Sequence, residues 1–534
     1  MSGSRRRSPR PRRFGLPETA ALGMLLAAAC VSDWGGKTEA KALGDGSRIV
    51  VGAGGDLQEA LDRARVNDEI VLEAGATFRG PFTLPRKSGR GWITVRGSAD
   101  EAIPGPGTRM SPSFAGTLPT LEASEGSVLE AERGAHHYRL VGLEIRPRPG
   151  SRLVNLVTLG TNEDSEDDLP DHITIERCYL HGDPVKGTRR GIALNSRNTT
   201  IVDSYLSDFK EVGADSQAIA GWNGPGPFSI ENNTLEGAGE NLMFGGADPN
   251  IKNLVPSDIT IRRNLLRKPL AWKAGEPEYA GTPWTVKNLL ELKNARRVVI
   301  EGNLLEHNWV HSQTGFAVLF TVRNQEGSAP WSVVEDVTFR DNVVRRTGAG
   351  INLLARDDNF QSAGARGISI LNNLFYDVGG ERWGGDGRLF QILDGVVNLL
   401  IAHNTAMHAG NLVTVAGRPN LGFIFRDNLV FQNQYGIVGD GTGPGLETLN
   451  AYFPGALFRR NVIVGATASS YPSDNFFPGA PALVGFMSEG EGDYRLSASS
   501  PYKAAATDGK DIGVDFGALG ALTPSVAASR ESHP

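Results

Sequence analysis

Apolar and polar positions alternate along this 534-residue chain in short runs, and the runs recur. The stretch "VVIEGNLL" (298–305) sets a template of apolar, any, apolar, two polar, Asn, any, apolar. Earlier copies are "ITIERCYL" (173–180), "TTIVDSYL" (199–206), "FSIENNTL" (228–235) and "ITIRRNLL" (259–266). Later copies are "VTFRDNVV" (337–344), "ISILNNLF" (368–375), "LLIAHNTA" (399–406), "FIFRDNLV" (423–430) and "ALFRRNVI" (456–463). An eroded copy, "YRLVGLEI" (138–145), precedes them all. The sixth position reads Leu143, Cys178, Ser204, then Asn233, Asn264, Asn303, Asn342, Asn373, Asn404, Asn428 and Asn461, at intervals of 24 to 39 residues. Such a period marks stacked supersecondary units.

Two solenoids carry an Asn after alternating apolar residues. A leucine-rich repeat needs a nearly constant period of about 20–29 residues and mostly Leu at its strand positions. Here Ile, Val and Phe dominate and the interval varies. Most copies also hold a third apolar run, as in "GIALN" (191–195), "ENLMFGG" (240–246), "FAVLFTVRN" (316–324) and "GINLLARD" (350–357). Three short strands per turn joined by loops of unequal length predict an all-β parallel β-helix of roughly eleven or more coils. The Asn is expected at a sharp corner, in a left-handed backbone conformation, with its amide paired to the Asn one coil away. Cys178 and Ser204 share that column and are expected to be small buried residues rather than chemistry.

The template, the Asn column and the three strands resemble the right-handed parallel β-helix, pectin lyase-like superfamily, over residues 47–519. "DLQEALDRA" (56–64) reads as a short amphipathic helix capped by Asp56. It fits the N-terminal cap that covers the open sheet edge in this fold. The ending "YRLSASSPYKAAATDGKDIGVDFGAL" (494–519) is similar to the closing segment of many secreted β-helix proteins.

The termini read differently. "RRRSPRPRR" (5–13) is a basic region, followed by an apolar run from Ala20 to Ala29 that is too short to span a bilayer. Residues 1–29 are thus expected to be a signal peptide, 30–46 a linker and 520–534 a disordered tail. "LAAAC" resembles a lipobox, which would make Cys30 a lipid anchor; a plain signal cut near Ala42 is the other reading. Either way the protein is expected to be exported: secreted, periplasmic or lipid-anchored, and a monomer. Cys178 is the only other cysteine, so no internal disulfide is expected in the mature chain. Loss of six Arg and one Glu with residues 1–29 takes the formal charge from −6 to −11. Without basic clusters, such a chain argues against nucleic acid as a partner.

Resemblance to the superfamily points to the outer face of the sheet preceding each template as the working surface. There, alternation sends Leu290 and Leu292 inward, and Glu291 and Lys293 outward. Aligning strand ends sets Leu292 level with Val322 and Ala355, so Lys293, Arg323 and Arg356 form an outward column. Three stacked cations suit an anionic ligand such as a uronate polysaccharide. A further resemblance is to alginate and dermatan lyases on this fold, which use a Lys as base, an Arg on a neighbouring coil as acid, and a Glu that helps bind calcium. It implies Lys293 and Arg323 as catalytic residues and Glu291 as a Ca2+ ligand. The interval to Arg323 holds a long loop, and the surroundings of Lys293 are not the family's own motif.

Other residues join as candidates. Glu240 and Asp248, in "GENLMFGGADP" (239–249), read as a turn or as part of a sugar or calcium site. Trp272, Trp309, His307 and Gln313, with Arg356, are candidate substrate-binding groups in loops, where exposed rings stack on sugars. Asp357 and Asp358 offer a carboxylate pair for hydrolysis. The alternatives to a lyase are accordingly a glycoside hydrolase and a non-catalytic glycan-binding scaffold. No "GHG" with "RIK", no H-E-x-x-H, no phosphate loop and no nucleophile elbow occurs.

Overall fold

The structure is a computed structural model, and it describes residues 46–522. The expected signal peptide, the Cys30 anchor and nearly all of the linker lie outside the described residues. So does the tail from residue 523; residues 520–522, assigned to that tail, instead end the helix Phe516–Leu522.

The chain forms a right-handed parallel β-helix. Three parallel sheets of 14, 12 and 13 strands run its length, each strand pairing with its counterpart one coil away. In one coil, Asn288–Leu292 belongs to the 12-stranded sheet, Ala295–Glu301 to the 14-stranded sheet and Leu304–Asn308 to the 13-stranded sheet. The templates thus build the 14-stranded sheet. Val298, Ile300, Leu290, Leu292 and Leu305 all point into one continuous core. Because register repeats at every coil, like stacks on like: Ile259, Val298, Val337 and Ile368 are successive partners.

At the corner after each template the amides interlock. Asn303 Oδ1 accepts from the backbone N–H of Asn264 at 2.9 Å and from its Nδ2 at 3.1 Å. Asn342 Oδ1 does the same for Asn303. The series starts at Ser204 N–H on Asn233 Oδ1 and runs on to Asn475, which lies outside the template. The left-handed backbone falls one residue earlier than expected. Asn232, Arg263, Gly302, Asp341, Asn372, His403 and Asp427 have φ between 53° and 64°, whereas the ladder asparagines do not. The turn is made by whichever residue precedes the Asn, and the Asn pays only with its amide. Cys178 fills the same column, wholly buried, its thiol pushed up to about 12 by burial.

Both ends are covered. Helix Leu57–Arg63 buries Leu57, Ala60 and Leu61, and Asp56 caps it by accepting from Glu59 N–H. Near the N-terminus, residues 103–118 lie over Tyr179 and Tyr205 on the outer face of the 13-stranded sheet. At the other end, the chain doubles back along that face. Thr507 N–H donates to Asp427 Oδ1, Val514 N–H to Thr405 Oγ1 and Asp515 N–H to Asn372 Oδ1. Val514 and Leu519 then pack on Leu374, Val343 and Leu304.

One buried side chain links this core to pH. His408 accepts from Asn433 Nδ2 at 3.2 Å, and burial pushes the ring down to about 4. Unfolded, the ring titrates near about 6.5. Between these values the unfolded chain binds the extra proton, so stability is complete above about 6.5 and is lost as pH falls toward 4. Thermal unfolding followed from pH 7 to pH 4 is expected to show a falling midpoint, with a shallower fall in His408→Leu.

Candidate active site

A groove of about 330 Å³ opens on the outer face of the 12-stranded sheet, lined by Glu291, Lys293, Gln313, Arg323, Asp358 and Asp394 among others. Strand alternation places the first two: Leu290 and Leu292 are wholly buried in the core, and Glu291 and Lys293 face the groove. Lys293 Nζ lies 3.7 Å from Glu291 Oε1. Glu291 is held by Asn288 Nδ2 at 3.1 Å and Thr321 Oγ1 at 3.3 Å. Asn288 Nδ2 also reaches Gln313 Oε1 at 3.4 Å.

Arg323 arrives by a route the strand-end alignment missed. Leu292 is level with Phe320, not Val322, and Thr321 is level with Leu354. One extra residue is taken up before Arg323, whose backbone N–H then donates to Lys293 O at 3.0 Å. The two cations therefore stand on adjacent coils at the same strand end. The cationic column does not persist beyond them. Arg323 NH1 lies 3.1 Å from Asp358 Oδ2 and 3.5 Å from Asp357 Oδ1, and exposed Arg356 lies outside the groove lining. Asp357 and Asp358 are thus occupied with the arginine; Asp357 also accepts from Asn324 N–H.

The aromatic candidates pack rather than present themselves. Trp272 and Trp309 are each 5% exposed and form a cluster with Trp284, Val286 and Ala238. The Lys210 ammonium sits 5.2 Å from the Trp272 ring centroid. His307 is on the strand Leu304–Asn308 of the 13-stranded sheet, stacked on Trp383 at 5.5 Å, and burial pushes it down to about 4. These three belong to the fold, because a ring beside polar neighbours in sequence still buries itself when a loop folds over it. Trp272→Ala is expected to cost about 3–5 kcal/mol of stability, measured by denaturant unfolding, with glycan affinity of the folded protein unchanged.

The carboxylates expected to hold Ca2+ do not converge. Asp248 lies in the loop after its strand and clasps another loop: its Oδ2 accepts from Glu326 N–H, Ser328 N–H and Ser328 Oγ. Glu240 is wholly buried; Gln217 Nε2 donates to it at 2.8 Å, and burial, then Glu291, push its carboxyl up to about 7. Ammonium groups already stand where a cation would balance the remaining pair: Lys287 Nζ is 3.8 Å from Glu240 Oε1, as Lys293 is beside Glu291. Among the described residues no three His, Cys, Asp or Glu side chains assemble a metal site. The residues present do not fit calcium, and the chemistry below uses the chain's own groups.

Sequence reasoning passed over the support beneath the groove. Lys268 is wholly buried, and its Nζ faces four acceptors: Gly237 O, Gly239 O, Asn241 Oδ1 and Asn288 O, at 2.7–3.2 Å. Burial pulls this ammonium down while Glu240 holds it up. Lys287 reaches Asp215 Oδ2 at 2.6 Å. The one sequence signal was a lysine set directly between a corner strand and Pro269.

A larger cavity of about 750 Å³ lies on the outer face of the 13-stranded sheet, walled by Leu118, Pro147, Pro184 and Val185. Its Glu144 is satisfied by Thr120 Oγ1 and by His181 Nε2 at 3.1 Å, which leaves that carboxylate without a free role.

No family profile and no curated relative matches the sequence. Solved structures do resemble it. A PL6 family alginate lyase, AlyGC, superposes with a TM-score of 0.49 at 15% identity, over 88% of this chain and 58% of that one. The catalytic unit of a GH87 alpha-1,3-glucanase from Streptomyces thermodiastaticus strain HF3-3 gives 0.46 at 12% identity, over 82% and 69%. A mannuronic acid specific polysaccharide family 6 lyase from human gut microbiota gives 0.44 at 14% identity, over 79% and 87%. The chain thus spans less than two thirds of the first of these. Values this low transfer no activity, and the fold assignment rests on the sheet topology itself.

Proposed function

We propose that this chain is a carbohydrate-active protein that cleaves a uronate-containing polysaccharide by β-elimination. The observation that carries the reading is the meeting of Lys293, Arg323 and Glu291 in one groove on the outer face of the 12-stranded sheet. β-Elimination needs three things: the C5 proton taken, the carboxylate charge offset and the leaving oxygen protonated. Lys293, in its neutral form, is the base. Arg323, one coil on, offsets the uronate charge and, as the acid, gives a proton to the departing oxygen; solvent then restores that proton and takes the one Lys293 has gained. Glu291 fixes the Lys293 ammonium once it has formed. Binding a uronate carboxylate means displacing Asp358, the more exposed partner of Arg323, and Asp357 remains to hold the guanidinium.

A screen of alginate, pectate, and chondroitin and dermatan sulfates, read by absorbance of the unsaturated uronate, tests this. A rising signal on one of them is expected, with or without added calcium. Silence on all of them, together with reducing ends released from neutral glycans, would sink the lyase reading in favour of hydrolysis. Hydrolysis is the second reading because Glu291, Asp358 and Asp394 all line the groove.

A further inference from the structure

Away from Lys293, the same sheet face carries a cation that the proposed chemistry does not use. Arg190 opens the strand Arg190–Leu194 and is level with Asn155 on one side and Gln217 on the other. Its Nε donates to Gln217 Oε1 at 3.1 Å and its NH1 to Asn155 Oδ1 at 3.5 Å. The guanidinium carbon sits 5.4 Å from the Trp222 ring centroid. Outward positions beside it are Ala193 and Ala220, small enough to let the arginine lie along the sheet to reach that ring. Its hydrogen-bond partners are neutral amides, and Glu240, Asp215 and Glu211 act on it only from longer range. Burial, reinforced by Arg189, pulls its pKa down to about 10. A half-buried cation held only by neutral amides gains from a ligand that supplies the opposite charge.

Trp222 is held in place for such a ligand. Its backbone N–H donates to Asn195 Oδ1 at 2.8 Å and its Nε1 to Asn162 Oδ1 at 3.1 Å. Register then ties it to the groove. Gly221, Phe244 and Leu292 are successive partners, so Trp222, Gly245 and Lys293 occupy one strand-end position on three consecutive coils. The middle coil has glycines at that position, Gly245 and Gly246, with φ of 92° and 87°, and the end of the Met243 side chain lies beside Gly246. A Cβ on Gly245 would stand 2.8 Å from Lys293 Cβ. Trp222 thus stands two rungs of the sheet from Lys293, about 10 Å, and Arg190 three rungs, about 14 Å.

We propose that Arg190 and Trp222 form a subsite for an anionic sugar unit, its carboxylate or sulfate on the guanidinium, on the same polysaccharide chain that reaches Lys293, with Trp222 two coils and Arg190 three coils N-terminal to that lysine. This rests on the polysaccharide reading above. Arginine held over an aromatic ring keeps N–H groups for bidentate recognition of such a group. Binding by calorimetry tests it, using full-length Lys293→Ala so that nothing is cleaved, and oligomers prepared from alginate, pectate and dermatan sulfate. Adding Arg190→Gln or Trp222→Leu is expected to weaken tetrasaccharide binding about tenfold or more and to leave disaccharide binding unchanged. Equal affinity for the tetrasaccharide, or equal loss at both lengths in a variant with an unchanged melting temperature, overturns the subsite alone. Failure of Lys293→Ala to bind any oligomer overturns the subsite and the polysaccharide reading together.

Discussion

Replacing Lys293 with alanine is expected to reduce release of unsaturated uronate at least about a hundredfold, the contribution of a positioned general base. The side chain's structural duty is to face the buried Glu291 carboxylate, which keeps its bonds from Asn288 and Thr321 when Lys293 is truncated. Its one ion pair is the 3.7 Å contact to Glu291, and its backbone bonds to Phe244 and Arg323 survive truncation. Activity is therefore expected to disappear while the melting temperature stays within a few degrees. Lys293→Arg is the sharper control: it keeps the charge and the contact to Glu291 but cannot act as a base at neutral pH. Substantial turnover by either variant on the polymer identified in the screen would remove Lys293 from the base role.

The second large effect concerns stability. Asn303→Ala is expected to cost about 3–5 kcal/mol, seen as a lower denaturant midpoint with an unchanged slope. Asn303 Oδ1 satisfies two donors of Asn264, and its Nδ2 donates to Ile261 O and Asn342 Oδ1. Truncation strands the Asn264 N–H in a fully buried corner with no water to replace the bond. Asn475→Ala, at the last rung and 9% exposed, is expected to cost clearly less. Equal costs at the two positions would mean that the ladder contributes locally and not through burial.

How much of this was written in the chain follows from the range of each determinant. The β-helix was legible because its signal is local and repeated: alternating Val298 and Ile300, then Asn303, recurring down the chain. Glu291 and Lys293 were legible for the same reason, since strand alternation fixes the face on which they stand. Arg323 was reached by a faulty alignment. The residue inserted before it shifts the register, which sequence periodicity cannot see. Trp272, Trp309 and Asp248 were misread because their environments come from afar. Asp248 is claimed by Ser328, 80 residues on. The cluster of Trp272, Trp284 and Trp309 with Lys210 is assembled from segments with no periodic signature. Lys268 was invisible as a buried ammonium, because its four acceptors include three main-chain carbonyls that no side-chain pattern encodes.

The returning C-terminal segment changes how the solenoid can fail. In a bare stack of repeats, each coil leans only on its neighbours, and the last one can peel away and expose the next. Here the strap from Thr507 to Leu519 is fastened successively beside Asp427, Thr405, Asn372, Val343 and Leu304. Coils that never touch each other are bound to the same strip of chain. Fraying from that end must first unpick the strip, so the final coils melt as a block, and the groove at Lys293 and Arg323 borders the part of the molecule so laced.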